Sequence, residues 1–146
     1  KGVGSILEQE ITRWQRLSES GQSITGVRSG FDDLDAITGG FQPGNLIILA
    51  ARPSMGKSAL VTNIAENVAL DKHDPRPVAL FSLEMSEGEL AQRFVASQAS
   101  IKGDDLRKGK VKPELWKRVL NAAGEYDRSK LFVDAGATVV KIEPPE

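Results

Sequence analysis

Residues 51–58, ARPSMGKS, end in Gly-Lys-Ser, the residue types that hold a phosphate chain. The full phosphate-loop pattern is Gly, four residues, Gly, Lys, then Ser or Thr, and alanine stands here at the first position. Glycine is needed there only where the backbone takes a positive φ or comes very close to the ligand, so Ala51 fits a loop that begins in an ordinary conformation. Gly56 would let the backbone close around the β-phosphate, and Lys57 would reach the β- and γ-phosphates. Ser58 would offer its hydroxyl oxygen to magnesium, which makes it the candidate metal ligand. Arg52 and Pro53 would shape the loop, Ser54 and Met55 would supply mainly backbone N–H groups, and Ala59 belongs to the first turn of the following helix. The competing reading is a plain glycine-containing turn entering a helix. The flanks decide for phosphate, because an apolar strand candidate precedes the loop and an amphipathic helix follows it.

Glu84 closes the apolar run VALFSLE, residues 78–84. If that run is a strand beside the loop strand, the carboxylate emerges at the carboxyl edge where open α/β sheets bind ligands, placed to orient a water for in-line attack. Equally, it fits an acid at the start of the next helix, where it favours the helix dipole. Asp134, after KLFV, reads as a turn or edge residue more than a magnesium-side carboxylate. Asp32, Asp33 and Asp35 read as helix-capping and solvated residues more than metal ligands. Phe94 and Trp116 read as core residues. His73 stands alone in a polar stretch and reads as a surface residue, and with no cysteine in the chain there is no disulfide, no thiolate catalysis and no cysteine-ligated zinc.

These residues need elements to position them. Leu7, Ile11, Trp14 and Leu17 recur at helical spacing in residues 5–20, which predicts an amphipathic helix, followed by an extended connector, residues 21–30. A short helix is expected around residues 32–37, then a Pro43-Gly44 turn. The run LIILAA, residues 46–51, predicts a strand covered on both faces. Helices are expected over residues 57–70, from Ser86 and Glu89 placed as a capping box, and from near Pro113, with further strands at residues 78–84 and 130–136. The alternation predicts an α/β layer fold with a mainly parallel sheet and flanking helices. The length of 146 residues suits one domain, and the net charge of -1 gives no bulk attraction to nucleic acid or anionic membrane. Residues 102–118 do carry seven Lys and Arg against three Asp and Glu, read as a solvated basic face that could alternatively contact a polyanion. No apolar run is long enough for a membrane span and no signal peptide is visible, so the expectation is a cytoplasmic protein.

Taken together, TGVRSGFDDLDAITGGFQPGNLIILAARPSMGKSAL and the following VALFSLEMS closely resemble the C-terminal motor domain of bacterial replicative DNA helicases of the DnaB type, over about residues 5–134. Alanine at the first loop position is normal in that family. The resemblance implies a RecA-like P-loop NTPase core working in a homohexameric ring, hydrolysing ATP with Mg2+ and moving along single-stranded DNA, with primase and a helicase loader as further partners. It implies that Lys57 and Ser58 hold phosphate and magnesium, that Glu84 activates the attacking water, and that Arg93 has a structural or site-supporting role. The helix bearing Leu7, Ile11, Trp14 and Leu17 resembles the linker helix that packs on the neighbouring subunit. The organisation expected is a linker helix and connector over residues 1–27, the first half of the ATPase domain over residues 28–134, and a divergent tail over residues 135–146.

The tail AGATVVKIEPPE does not resemble the family's continuation, and the second magnesium-side carboxylate, the DNA-binding loops and the arginine acting on the next subunit are not found in the sequence. An arginine acting in trans is worth about 10³ to 10⁵ in rate. The chain therefore reads as a fragment that binds nucleotide weakly with little turnover. Two other functions remain open: a non-hydrolysing, nucleotide-dependent assembly or adaptor module, and a RecA-like ATPase of the recombination or circadian-clock type.

Overall fold

The computed structural model describes residues 1–20 and 24–136. The expected tail lies outside the described residues from residue 137 onward, as do residues 21–23 of the connector. The chain forms two compact units, Lys1–Ile48 and Leu49–Glu146. No helix is long and apolar enough to cross a membrane among the described residues.

The first unit opens with α1 (Val3–Ser20), whose apolar stripe stands in solvent: Ile6, Leu7, Ile11 and Trp14 are each about half exposed. After the connector, Val27 and Phe41 exchange backbone hydrogen bonds at 2.9 and 2.8 Å in an isolated antiparallel bridge. Beside it Gly26 and Gly40 pack backbone to backbone. A Cβ on Gly40 would stand 2.6 Å from the Gly26 carbonyl carbon, and Gly40 also has φ +86°, so this crossing needs glycine on two grounds.

Within that loop sits α2 (Asp32–Thr38), ended by Gly39 in the left-handed conformation. Asp32 and Asp33 are exposed, as the solvated reading expects, but neither caps α2, whose N-cap is Phe31 with no side-chain hydrogen bond, and Asp35 is buried. Its Oδ1 accepts both the Ser29 N–H and the Ser29 hydroxyl at 2.8 Å, and its Oδ2 accepts the Gly30 N–H at 3.3 Å. The SGFDDLD segment is thus folded around one carboxylate.

In the second unit α3 (Lys57–Ala69) lies against β1 (Val78–Phe81) and β2 (Leu131–Asp134). These two strands pair in parallel, Val78 opposite Leu131 through Phe81 opposite Asp134. Between them in sequence run α4 (Glu87–Ala99), α5 (Gly103–Arg107), a 3-10 turn (Pro113–Leu115) and α6 (Trp116–Arg128). Ser86 caps α4 by accepting the Glu89 N–H at 3.2 Å, the Ser86 half of the expected capping box. Helix α4 packs on α3, α5 and α6. Leu90 and Phe94 are buried, and Ala99, Ile101 and Ala122 form a cluster flanked by Val95, Leu106, Val111, Leu115 and Val119. Helix α5 was not expected from the sequence. Trp116 is 47% exposed and is not a core residue.

The expected RecA-like, mainly parallel sheet core is not what forms. Among the described residues helix accounts for 54% and strand for 8%, and the only sheet is the two-stranded pair. The run at residues 46–51 carries no ladder, and Leu46 and Ile48 are 87% and 81% exposed. Apolarity measures how much a segment gains from burial, whereas a strand exists only where a neighbour takes up its N–H and C=O groups. Among the described residues no neighbour does so for this run.

Candidate nucleotide-binding site

The loop expected to hold phosphate leads directly into α3. Ser54 has φ +65° and Gly56 φ +86°, two left-handed residues separated by one, and such alternation turns successive N–H groups toward one side. Gly56 is the N-cap of α3 and its carbonyl accepts the Leu60 N–H at 3.0 Å, but no side chain caps the helix. The first-turn N–H groups therefore keep their donors for a ligand, at the positive end of the helix dipole. The Thr62 hydroxyl turns inward to the carbonyls of Ser58 and Ala59 at 3.0 and 2.9 Å and takes no part at the loop.

Glu84 reaches the same region from the sheet. Parallel pairing puts the carboxyl ends of β1 and β2 together, and the Ser82 N–H still donates to the Asp134 carbonyl at 2.9 Å. The chain then turns: the Ser82 hydroxyl accepts the Met85 N–H at 3.0 Å, and Glu84 lies inside that turn, exposed, ahead of the α4 cap. Asp134, by contrast, accepts the Gly136 N–H at 2.8 Å in a local turn.

A cavity of about 550 Å³ collects these groups. Its lining is Ala51, Arg52, Pro53, Ser54, Met55, Gly56, Lys57, Ser58 and Ala59, with Glu84 from the turn after β1 and Arg93 from α4. Every residue singled out as binding or catalytic in the sequence borders this one space. Three cations, Arg52, Lys57 and Arg93, face one carboxylate, Glu84, so the lining is suited to a polyanion. The donor set fits a magnesium triphosphate: uncapped backbone N–H groups, one ammonium, two guanidinium groups and the Ser58 hydroxyl as an oxygen ligand. No group of three or more acidic or histidine side chains capable of holding a metal ion is found among the described residues, so phosphate oxygens would supply much of a magnesium ion's shell.

Arg93, expected only in a structural or site-supporting role, borders the cavity itself. Helical position shows that Arg93 follows the α4 cap by two turns but not what that helix faces. The residues the sequence did not single out at all are Glu66, Ser97 and Tyr126, which join helices α3, α4 and α6. Glu66 is buried, and its oxygens accept the Ser97 hydroxyl at 2.6 Å and the Tyr126 hydroxyl at 2.8 Å. The phenol lies 2.9 Å from the Phe94 carbonyl as well, and its ring meets Phe94 with centroids 5.6 Å apart. Burial, then the hydrogen bond to Glu66 and the negative charges of Glu66 and Glu125, raise the Tyr126 pKa well above the ordinary tyrosine value.

Comparison with known proteins supplies the family. The replicative DNA helicase DnaB of Geobacillus stearothermophilus is 40% identical over 134 residues, covering 92% of this chain and 29% of that protein. The replicative DNA helicase DnaB of Nostoc is 42% identical over 135 residues, covering 91% of this chain and 15% of that protein. Among solved structures, the ATPase domain of G40P superposes with a TM-score of 0.80 at 33% identity, covering 92% of this chain and 47% of that one. A DnaB-like replicative helicase, described with its interactions with primase, gives a TM-score of 0.76 at 32% identity over 89% of this chain and 31% of that one. The chain thus spans less than a third of the length of these curated relatives. The pattern described as DnaB-like helicase C terminal domain matches residues 26–143, and the chain belongs to that family.

Proposed function

We propose that this chain supplies the nucleotide-binding part of a replicative DNA helicase motor, one that couples ATP hydrolysis to movement on single-stranded DNA and duplex unwinding in the cytoplasm. The observation that carries the reading is the single cavity bordered by residues 51–59, Glu84 and Arg93. Residues 51–59 cradle the phosphates, Lys57 neutralises them, and Ser58 provides one oxygen ligand to magnesium. The magnesium ion, when bound, draws charge from the phosphate oxygens. Glu84 holds and deprotonates the attacking water, and Arg93 stabilises charge at the phosphates. Residues 1–27 act as linker helix and connector to residues 28–134, and α1 docks on a neighbouring subunit of a homohexameric ring. Primase and a helicase loader are the further partners, in keeping with the primase interactions described for one of the structural relatives.

The test has two arms. On its own, the 146-residue chain is expected to bind MgATP without appreciable turnover, and Lys57→Ala to abolish that binding, as followed by calorimetry. In the complete gene product, hydrolysis is expected to rise on addition of single-stranded DNA and to fall at least about a hundredfold in Glu84→Gln. Nucleotide binding with no DNA-stimulated hydrolysis would make this an assembly module and contradict the motor reading.

A further inference from the structure

Glu66 is an acid buried between helices, and no cation lies within ion-pair distance of it among the described residues. A buried carboxylate is costly unless hydrogen bonds replace its water, and here both come from hydroxyls on other helices, Ser97 on α4 and Tyr126 on α6. Apolar packing would join the same helices without that cost, so the arrangement adds geometric definition more than stability.

The positions of the three partners relate this cluster to the cavity. Helix α3 begins at Lys57, and Glu66 lies nine residues later, about 13 Å along a rigid helix. Ser97 follows Arg93 by four residues, so both share one face of α4, a turn apart. Phe94, whose carbonyl the Tyr126 hydroxyl faces, directly follows Arg93. The bond from Glu66 to Ser97 therefore ties the face of α4 that carries Arg93 to the helix that starts at the phosphate loop. Tyr126 touches both helices of that pair, Glu66 on α3 and the Phe94 carbonyl on α4.

We propose that Glu66, Ser97 and Tyr126 are positioning residues that couple α3 to α4 and so set how far Arg93 reaches toward a nucleotide held at residues 51–59. This rests on the nucleotide-site reading given above. It makes Arg93 a group whose contribution exists only while the cluster is intact.

The experiment is a double-mutant cycle on the ATPase of the complete gene product. Tyr126→Phe and Ser97→Ala are each expected to lower kcat about tenfold, with KM for ATP within about twofold of the parent and Arg93→Ala lowering kcat at least as much. Combining Arg93→Ala with either should cost no more than Arg93→Ala alone. Glu66→Gln, which keeps an oxygen acceptor and gains N–H donors for the two hydroxyls, should retain within about threefold of parental kcat where Glu66→Ala does not. Multiplicative losses in the cycle, or an Arg93→Ala with parental kcat, would overturn the coupling. Should Tyr126→Phe fail to fold, the Ser97→Ala arm carries the same test. Lys57→Ala, measured alongside, separates the two readings: intact nucleotide binding there sinks the site itself, whereas lost binding with a multiplicative cycle sinks only the coupling.

Discussion

Lys57 and Arg93 bring positive charge to one cavity from two helices, whereas Tyr126 serves by keeping its proton. The folded state raises the Tyr126 pKa, so the stability this phenol contributes is fully present below the unfolded value of about 10. It is lost as pH rises from there toward the higher folded value. Because the chain has one tyrosine, the phenolate absorbance band reports Tyr126 alone. That band is expected to appear at higher pH in the native chain than in denaturant, and Tyr126→Phe to flatten the alkaline loss of stability measured by urea unfolding. Coincident native and denatured titrations would contradict the Glu66–Tyr126 contact. That residues 51–59 line one space was legible in the sequence because Gly56, Lys57 and Ser58 stand together in one short loop. Glu66 and Tyr126 were not, because they stand 60 residues apart and only packing of α3, α4 and α6 brings them together.

Among the elements, the helices with local signals were the readable ones. Ser86 and Glu89 announced the start of α4, and the spacing of Leu7, Ile11 and Trp14 announced α1. The run at residues 46–51 shows the limit: its apolar content predicts a buried strand, but pairing is decided by what lies alongside, which no window of sequence contains. Asp35 shows a similar limit, since a helical aspartate reads as a cap and its burial depends on Ser29 folding back over it. Replacing it by alanine removes the acceptor of the buried Ser29 N–H and hydroxyl and of the more exposed Gly30 N–H, at an expected cost of about 2–3 kcal/mol. The corresponding signature is faster hydrogen exchange at these two amides, with exchange in α4 unchanged. Unchanged protection at Ser29 would show that the carboxylate does not hold the loop.

For the whole molecule, the exposed stripe of α1 is an apolar surface a soluble helix does not leave uncovered without cost, and Trp14 at 55% exposure is its largest member. A neighbouring subunit is the cover proposed here. The double variant Leu7→Asp, Ile11→Asp is expected to shift the complete gene product from ring to monomer in sedimentation, with its circular dichroism preserved. A ring that survives the change would place the subunit contact elsewhere. The family was legible in the order of motifs from SGFDDLD through PSMGKS to SLEMS, while the share of strand was not. Most directly, the phosphate site is tested by a crystal structure of the chain with magnesium and a non-hydrolysable ATP analogue. The triphosphate is expected on the N–H groups of residues 54–59, with the Lys57 ammonium on its phosphate oxygens and Glu84 and Arg93 facing its outer end. A triphosphate bound away from residues 51–59, or Lys57 turned from an occupied site, would contradict it.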